Sequence, residues 1–223
     1  MAALYVIGSF AVGALPAAAT VAHDQTHVGV LSSNTITVSE TTAGPGELLV
    51  AECAVYGTGV ASISGSGLTW VRVAYFQWPN APINRTEVWE AWAPNKLTSA
   101  TMTISFGSTP SGASAAIESF TGASSTVGIE SYGINYGGGS TASATVTTQS
   151  ANALVCLTAN MVSLWTGGDS TSTWSWTGGS SGHGGGEYAT SLTPLAGTVV
   201  THFATQAVPS AGWEAIAFSV ASA

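Results

Sequence analysis

Apolar and polar residues alternate with a period of two along most of the chain, which is typical of half-buried β-strands. In the segment TEVWEAW (86–92), Glu87 and Trp89 fall on one face and Val88 falls on the other. No segment combines a helical period with helix caps, so the pattern predicts an all-β protein. The predicted strands are 27–39, 47–56, 68–76, 86–92, 100–106, 113–120, 127–136, 141–148, 151–161, 170–176, 197–207 and 212–220.

The second half of the chain resembles the first in the order of its strand residues. The matches are Leu49-Val50 with Leu154-Val155, Trp70 near Trp174, Glu87 with Glu187, 101–106 with 198–203, and Ala116-Ile117 with Ala215-Ile216. These matches predict an antiparallel double-sheet sandwich, jelly-roll-like, with two strand-pattern halves of roughly 100 residues at 46–122 and 151–222.

Two architectures explain such halves: a pair of separate sandwiches, or one domain with a repeated strand pattern. A domain linker is polar or Pro-rich and lacks strand pattern. The region between the halves, which contains TVGIESYGINYGGG, instead continues the alternation. The sequence therefore favours one domain over 46–223, with 1–45 as an N-terminal strand or arm that continues into it.

Charge is scarce: 6% of the 223 residues are charged, and the net charge is -8. The only basic side chains, Arg72, Arg85 and Lys96, are too few to neutralise a nucleic acid or to bind an anionic membrane surface. Without Lys and Glu to keep sheet edges apart, such a surface is expected to be covered by other subunits. We expect the eleven acidic groups to favour docking onto a basic rim of a partner.

The opening segment MAALYVIGSFAVGALPAAAT resembles a secretion signal, but it lacks a basic beginning because the first Lys or Arg is Arg72. Gly8 and Gly13 also interrupt its apolar run. We expect a first strand or arm of a protein made in the host cytoplasm without a signal peptide. Cys53 and Cys156 lie in apolar strands, where two buried free thiols are favoured over a disulfide.

Three patterns suggest catalytic or metal chemistry, and none is strong. GGSSG (178–182), with His183, fits a nucleophile elbow only if a helix follows, and HGGGEYAT cannot start one. HDQTH (23–27) has a metal-like His spacing but no helical period, so solvated loop histidines are expected. Glu87 and Glu187 are candidates to face each other as a carboxylate pair, although solvated side chains are the simpler reading. We expect no catalytic residue, no cofactor and no metal.

Aromatic residues beside Gly-rich turns are the best binding candidates, because a large ring there is less often part of a core. These candidates are Trp78, Tyr136, Trp165, Trp174 and Trp176. Contact to a protein partner is favoured for them, with plain packing under loops and contact to a glycan as the alternatives. Trp70, Trp89 and Trp213 are expected in the core instead.

The order of the motifs GELLV, GLTW, TEVWEAWA, AAIESFTGA and ANALVCL resembles a family of β-sandwich modules in tailed-phage virion proteins and some bacterial surface proteins. The resemblance covers about residues 46–220 and implies a jelly-roll-like fold with a structural, adhesive or decorating role. Glu90 stands where Arg or Tyr is common in the family, so no family binding site is carried over.

The expected function is therefore that of a non-enzymatic virion structural protein of a tailed phage. A capsid decoration protein that binds the shell in many copies is favoured, with a tail or fibre component as the near variant. Its expected partners are the major capsid protein or tail proteins and copies of itself. The alternative is a secreted carbohydrate-binding or adhesin module that uses the turn tryptophans.

Overall fold

The computed structural model describes residues 19–79, 84–161, 163, 165–177, 184–208 and 212–223. Every regular element among them is a β-strand, which confirms the predicted all-β class. The strands are β1 (Ala22–Val28), β2 (Val30–Ser32), β3 (Thr35–Glu40), β4 (Glu47–Tyr56), β5 (Val60–Ser64), β6 (Val71–Gln77), β7 (Asn84–Ala93), β8 (Ala100–Phe106), β9 (Gly112–Thr121), β10 (Ile129–Gly138), β11 (Thr141–Thr147), β12 (Leu154–Met161), β13 (Trp165–Gly168), β14 (Ser172–Thr177), β15 (Gly184–Ala189), β16 (Val199–Gln206) and β17 (Gly212–Val220).

The strands form four stacked antiparallel sheets. Inner sheet 1 has the order β1-β9-β4-β7-β6, and outer sheet 1, with the order β2-β3-β8-β5, packs on it to form sandwich 1. Inner sheet 2 has the order β10-β17-β12-β15-β14, and outer sheet 2, with the order β11-β16-β13, packs on it to form sandwich 2. The two inner sheets pack face to face, so the sandwiches are stacked through their five-stranded sheets.

Both sandwiches have the same strand order. Strands β1, β9, β4, β7 and β6 match β10, β17, β12, β15 and β14 one for one, and β3-β8-β5 matches β11-β16-β13. Neighbouring strands come from distant parts of the sequence and belong to two facing sheets, as in a jelly roll. The structure therefore confirms an antiparallel, jelly-roll-like sandwich with two strand-pattern halves.

The halves predicted at 46–122 and 151–222 fall within sandwich 1 and sandwich 2. Sandwich 1 also contains β1, β2 and β3 from the predicted arm, and sandwich 2 also contains β10 and β11. The single-domain interpretation stays a prediction. The earlier part of the arm, residues 1–18, lies outside the described residues.

Three apolar cores fill the spaces between the four sheets. Leu49, Ile104 and Ile117 belong to the core inside sandwich 1, and Leu157 belongs to the core inside sandwich 2. A third core lies between the inner sheets and contains Val50, Phe120, Leu154, Cys156, Ile216 and Phe218. The inner sheets are thus buried on both faces, which explains why β4, β9, β12 and β17 are buried at almost every position and carry apolar residues on both faces.

Some of the sequence matches between the halves are displaced by one residue. Leu49 points into sandwich 1, whereas its match Leu154 points into the core between the sandwiches. Phe106 is buried, whereas its match Phe203 is 38% exposed. A slip of one residue moves a strand side chain to the opposite face, so a match in residue type does not guarantee a match in position. Glu87 and Glu187 do match, because each points into its own sandwich.

Three strands, β5, β13 and β15, were not predicted, and the predicted strand 27–39 divides into β1, β2 and β3. The sequence of β15, GGGEYA, has almost no apolar alternation. It is held in the sheet by backbone pairing with β12 on one side and β14 on the other. Such strands are specified by their neighbours and have little signal of their own.

The acidic side chains lie mostly inside the protein. Seven of the eleven are buried: Glu40, Glu47, Glu52, Glu87, Glu118, Glu187 and Glu214. The outward faces of the two outer sheets carry hydroxyls instead, among them Thr37, Thr101, Thr145 and Thr201. This burial leaves few acidic groups at the surface for docking onto a basic partner, which stays a prediction.

Cys53 and Cys156 are buried free thiols, as predicted. Burial raises the pKa of both thiols well above its usual range. The core assignments of three tryptophans are confirmed as well. Trp89 and Trp213 are buried, and the partly buried Trp70 packs against the core of sandwich 1.

Candidate functional site

Two of the five predicted contact aromatics are buried, which corrects the expectation that they form an exposed surface. Trp165 lies over Gly185, where an added Cβ would stand 2.4 Å from the indole Cε2. Trp176 lies over Gly186, where an added Cβ would stand 2.5 Å from the indole Nε1. These glycines belong to a strand and make room for the rings, so the Gly-rich composition that suggested exposure is what permits burial. The side chain of Trp174 lies outside the described part of the structure.

The other two, Trp78 and Tyr136, are brought together at the edge of the stack. Their ring centroids are 5.3 Å apart in an edge-to-face arrangement. Tyr136 also stacks on Phe76, with centroids 4.7 Å apart. Tyr136 remains 51% exposed, because β10 is the edge strand of inner sheet 2.

Trp78 also forms one wall of a cleft between the sandwiches. The cleft encloses about 270 Å³ and receives side chains from both inner sheets. Its lining residues are Tyr56, Trp78, Asn84, Asn160, Gly212, Trp213 and Glu214. Aromatic rings and short polar side chains thus alternate around one space.

Several polar atoms of this cleft have no hydrogen-bond partner among the described residues. They are Asn84 Oδ1, Asn160 Oδ1, Trp213 Nε1 and Glu214 Oε1. The other oxygen of Glu214 accepts a hydrogen bond from Thr86 Oγ1 at 3.1 Å. Burial raises the pKa of Glu214 to about 7, with the Thr86 hydroxyl opposing the rise. Buried polar atoms without partners are costly, so the cleft is suited to a ligand that offers hydroxyl groups.

The candidate carboxylate pair of Glu87 and Glu187 is not formed, because each points into its own sandwich and away from the other. The expected solvated side chains are wrong as well, because both glutamates are buried. Glu87 Oε1 accepts from the backbone N–H of Val60 at 2.9 Å, and Arg85 Nη1 lies 3.4 Å away. Two other carboxyls, Glu52 and Glu118, do lie near each other in the core between the sandwiches. Burial is the main cause that raises the pKa of both.

Glu52 is held by the indole of Trp176, whose Nε1 donates to Glu52 Oε2 at 2.6 Å. This hydrogen bond crosses between the sandwiches. It gives Trp176 a structural role that the sequence did not suggest.

The two histidines of HDQTH lie on β1 and are half-buried, so the expected solvated loop is wrong. A shift in register after His23 turns the two rings toward different sheets. His23 stacks on Tyr188 of sandwich 2 at 4.1 Å, and burial lowers the pKa of His23 to about 4. His27 Nδ1 lies 3.3 Å from Glu40 Oε2. The rings therefore do not converge on one ion.

A different group has the residue types and spacing of a metal site. Ligand atoms of Asp169, Glu187 and His202 all lie within 4.8 Å of one another inside sandwich 2. Sequence reasoning missed it because 198–203 was matched with 101–106, which pairs Phe203 with Phe106 and His202 with Ser105, whereas the buried positions of the two strands are displaced by one residue. The alternation of β16 was the signal available: Val200, His202 and Ala204 share its inward face.

Comparisons with known proteins identify no relative. No protein-family model matches the sequence, and no curated protein matches it. Among solved structures, oxalate decarboxylase from Bacillus subtilis at pH 4.6 aligns with 84% of this chain and 68% of that chain, at 10% identity and a TM-score of 0.19. A likeness of that size carries no argument.

The GGSSG motif and His183 lie outside the described residues. In the part of the chain that is described, no helix has the length and apolarity needed to span a bilayer. The cleft, the exposed strand β10 and the Asp169 group are therefore the candidate sites that the structure offers.

Proposed function

We propose that this chain is a non-enzymatic structural protein of a tailed-phage virion that decorates the capsid in many copies. The proposal starts from the motif order that resembles virion β-sandwich modules. The observation that carries it is strand β10, an exposed apolar edge on a surface that is almost free of charge.

Strand β10 pairs with β17 on one side and has no strand neighbour on the other side among the described residues. Tyr132, Ile134 and Tyr136 share one face of it and are 50%, 39% and 51% exposed. Exposed edges with apolar side chains are strong sites for strand addition or sheet packing by another chain. The hydroxyl-covered outer faces offer no charge repulsion against close packing of copies.

The test is a sedimentation assay with empty phage shells. We expect the wild-type chain to bind shells saturably, and the double variant Tyr132→Ser/Ile134→Ser to bind at least about tenfold more weakly, since burying two such side chains contributes roughly 3 kcal/mol. Val28→Ser is the matched control, because Val28 is 50% exposed and lies on β1 of sandwich 1.

Two outcomes contradict the proposal. A chain that stays monomeric in light scattering and ignores shells at every concentration is not a decoration protein. Binding to purified tails without binding to shells assigns the chain to the tail or fibre instead.

The cleft supports a second candidate function, that of a carbohydrate-binding or adhesin module. Tyr56, Trp78 and Trp213 offer ring faces, and the partnerless atoms of Asn84 and Asn160 offer hydrogen bonds to sugar hydroxyls. Trp78→Ala is the informative variant, because Trp176 is buried and its loss would disturb the fold. Saturable binding on a glycan array that Trp78→Ala abolishes and Tyr132→Ser preserves would favour this function over decoration.

A further inference from the structure

Asp169, Glu187 and His202 come from three places in sandwich 2. Glu187 lies on β15 of inner sheet 2, His202 lies on β16 of outer sheet 2, and Asp169 directly follows β13. All three side chains are buried, with 0%, 2% and 8% exposure for Glu187, His202 and Asp169. The group therefore joins both sheets of the sandwich from within.

Each carboxylate has one oxygen fixed by a neighbouring hydroxyl and the other directed at the histidine. Asp169 Oδ1 accepts from Thr171 Oγ1 at 2.6 Å and from the Thr171 backbone N–H at 2.8 Å, and Oδ2 lies 2.5 Å from His202 Nδ1. Glu187 Oε2 accepts from Ser172 Oγ at 2.7 Å, and Oε1 lies 3.9 Å from the same nitrogen. Hydroxyl support of this kind orients metal ligands in proteins.

Glu187 Oε1 is the atom that requires an explanation. It is buried, points toward His202 and Asp169, and has no hydrogen-bond partner among the described residues. A buried carboxylate oxygen without a donor is costly, and a bound cation would remove that cost. If Nδ1 of His202 binds an ion, the imidazole proton lies on Nε2, which is buried without a partner in the described part of the chain.

In sandwich 1, the matching carboxylate of Glu87 is compensated by side chains of the protein itself. Glu87 has Arg85 Nη1 at 3.4 Å, Arg72 Nη1 at 3.5 Å and Trp89 Nε1 at 3.1 Å. In the matching register of sandwich 2, Ser172 pairs with Ala189 where Arg72 pairs with Trp89. Gly185 likewise precedes Glu187 by two residues, as Arg85 precedes Glu87.

Sandwich 2 therefore keeps the glutamate and lacks both arginines. In their place it brings an imidazole and a second carboxylate to the same point. That exchange replaces a protein cation with a set of metal ligands.

We propose that Asp169, Glu187 and His202 bind one divalent transition-metal ion of the Zn²⁺ type inside sandwich 2. One imidazole nitrogen and two carboxylate oxygens form a mixed ligand set that suits Zn²⁺ and its first-row neighbours, whereas Ca²⁺ and Mg²⁺ favour oxygen ligands alone.

The geometry requires only small movements. Ligands at about 2.0–2.2 Å around a tetrahedral ion lie roughly 3.3–3.6 Å apart. The distance from His202 Nδ1 to Asp169 Oδ2 must therefore lengthen by about 1 Å. The distance from His202 Nδ1 to Glu187 Oε1 must shorten by less than that. A water molecule fills the fourth position, on the side of Asp169, which is the most exposed of the three. The ion would link β13, β15 and β16 and stabilise sandwich 2 independently of any virion or glycan partner.

The test uses the full chain after chelator treatment, with Zn²⁺ and Co²⁺ as probes. We expect one equivalent of Zn²⁺ by calorimetry, a rise in Tm on saturation, and a visible Co²⁺ absorption band typical of low coordination number. Glu187→Gln and Asp169→Asn each reduce the affinity at least about tenfold and remove the Tm rise. Glu87→Gln, the matched variant in sandwich 1, binds as the wild type does.

Other histidines must be separated from this site. The double variant His23→Gln/His27→Gln removes the HDQTH histidines and is expected to retain one equivalent of metal. Three results would overturn the proposal: no saturable binding by the folded wild-type chain, binding unchanged in both Glu187→Gln and Asp169→Asn, or binding lost in the HDQTH variant. Having two variants of the site keeps the test decisive if one of them fails to fold.

Discussion

The two sandwiches have the same strand order, yet the buried glutamate at the matching point of each is compensated in different ways. Glu87 receives two arginines, an indole and a backbone N–H. Glu187 receives one serine hydroxyl and lies beside His202 and Asp169. The jelly roll thus depends on where apolar side chains repeat, while the polar groups inside it can differ completely between copies.

A second contrast lies at the two edges where the sandwiches meet. At one edge Phe76 of sandwich 1 stacks on Tyr136 of sandwich 2. At the other edge His23 of sandwich 1 stacks on Tyr188 of sandwich 2. The two edges are therefore closed by different ring pairs, and the pair at the second edge contains a histidine.

The largest expected effect follows from the interior carboxyls that have no arginine. Burial raises the pKa of Glu40 to about 8 and that of Glu187 and Glu214 to about 7, from a usual value near 4.5. The folded chain holds these protons between pH 4.5 and 8 while the unfolded chain releases them. Stability is therefore greatest at the acidic side of this window and falls as pH rises through 7 to 8.

Urea unfolding of the metal-free chain at several pH values measures this effect. We expect the free energy of unfolding to fall by about 3 kcal/mol or more between pH 5.5 and pH 9. The triple variant Glu40→Gln/Glu187→Gln/Glu214→Gln should flatten the profile. An unfolding free energy that rises over the same interval would contradict the assignment of these groups as protonated and buried.

The sequence alone was sufficient to predict the fold class, because the alternation of apolar and polar residues marks most of the strands. It failed where a position depends on a distant strand. Nothing within GGGEYA reveals that Trp165 and Trp176 will pack over its glycines, since those rings arrive from other strands. Sequence also failed for His202, because the match between 101–106 and 198–203 pairs Phe203 with the buried Phe106, whereas the buried positions are displaced by one residue.

The next effect tests the packing between the sandwiches, where Gly186 faces Trp176 and Glu52. An added Cβ at Gly186 would stand 2.1 Å from Glu52 Oε2, in a space where the neighbours cannot move freely. Gly186→Ala should therefore cost about 2–3 kcal/mol of unfolding free energy and break the Trp176–Glu52 hydrogen bond. Gly107→Ala is the control, because its nearest neighbour would be 3.7 Å from the new Cβ. Equal stability of the two variants would show that the sandwiches are not packed as described.

A smaller effect separates the two matching glutamates directly. Glu87→Gln leaves Arg72 and Arg85 without their carboxylate, although both arginines are partly exposed, so a loss of about 1–2 kcal/mol is expected at pH 6. Glu187→Gln in the metal-free chain should cost less than about 0.5 kcal/mol, since the raised pKa leaves Glu187 mostly uncharged at that pH. Urea unfolding of both variants under identical conditions measures the difference. Losses of equal size would remove the distinction between the two surroundings.

The smallest effect concerns the edge closed by His23. Burial lowers the pKa of His23 to about 4, while the unfolded ring titrates near 6.5. The neutral ring therefore contributes stability above pH 6.5 that is lost as pH falls toward 4. His23→Phe keeps the ring but cannot take up a proton. Because it loses the 2.8 Å contact to Thr26 Oγ1, it should be about 1 kcal/mol less stable than the wild type at pH 7.

At pH 4.5 the stability advantage of the wild type over His23→Phe should be smaller by about 1 kcal/mol, or the variant should be the more stable of the two. The reason is that only the wild type is then penalised by proton uptake in the unfolded state. Phe76→Leu changes the ring pair at the other edge without changing an ionisable group, so its difference from the wild type should be the same at both pH values. If the stability difference between His23→Phe and the wild type is also the same at both pH values, His23 is accessible to protons in the folded chain. The two edges would then be electrostatically equivalent, and any loss of stability at acidic pH would have to come from other groups.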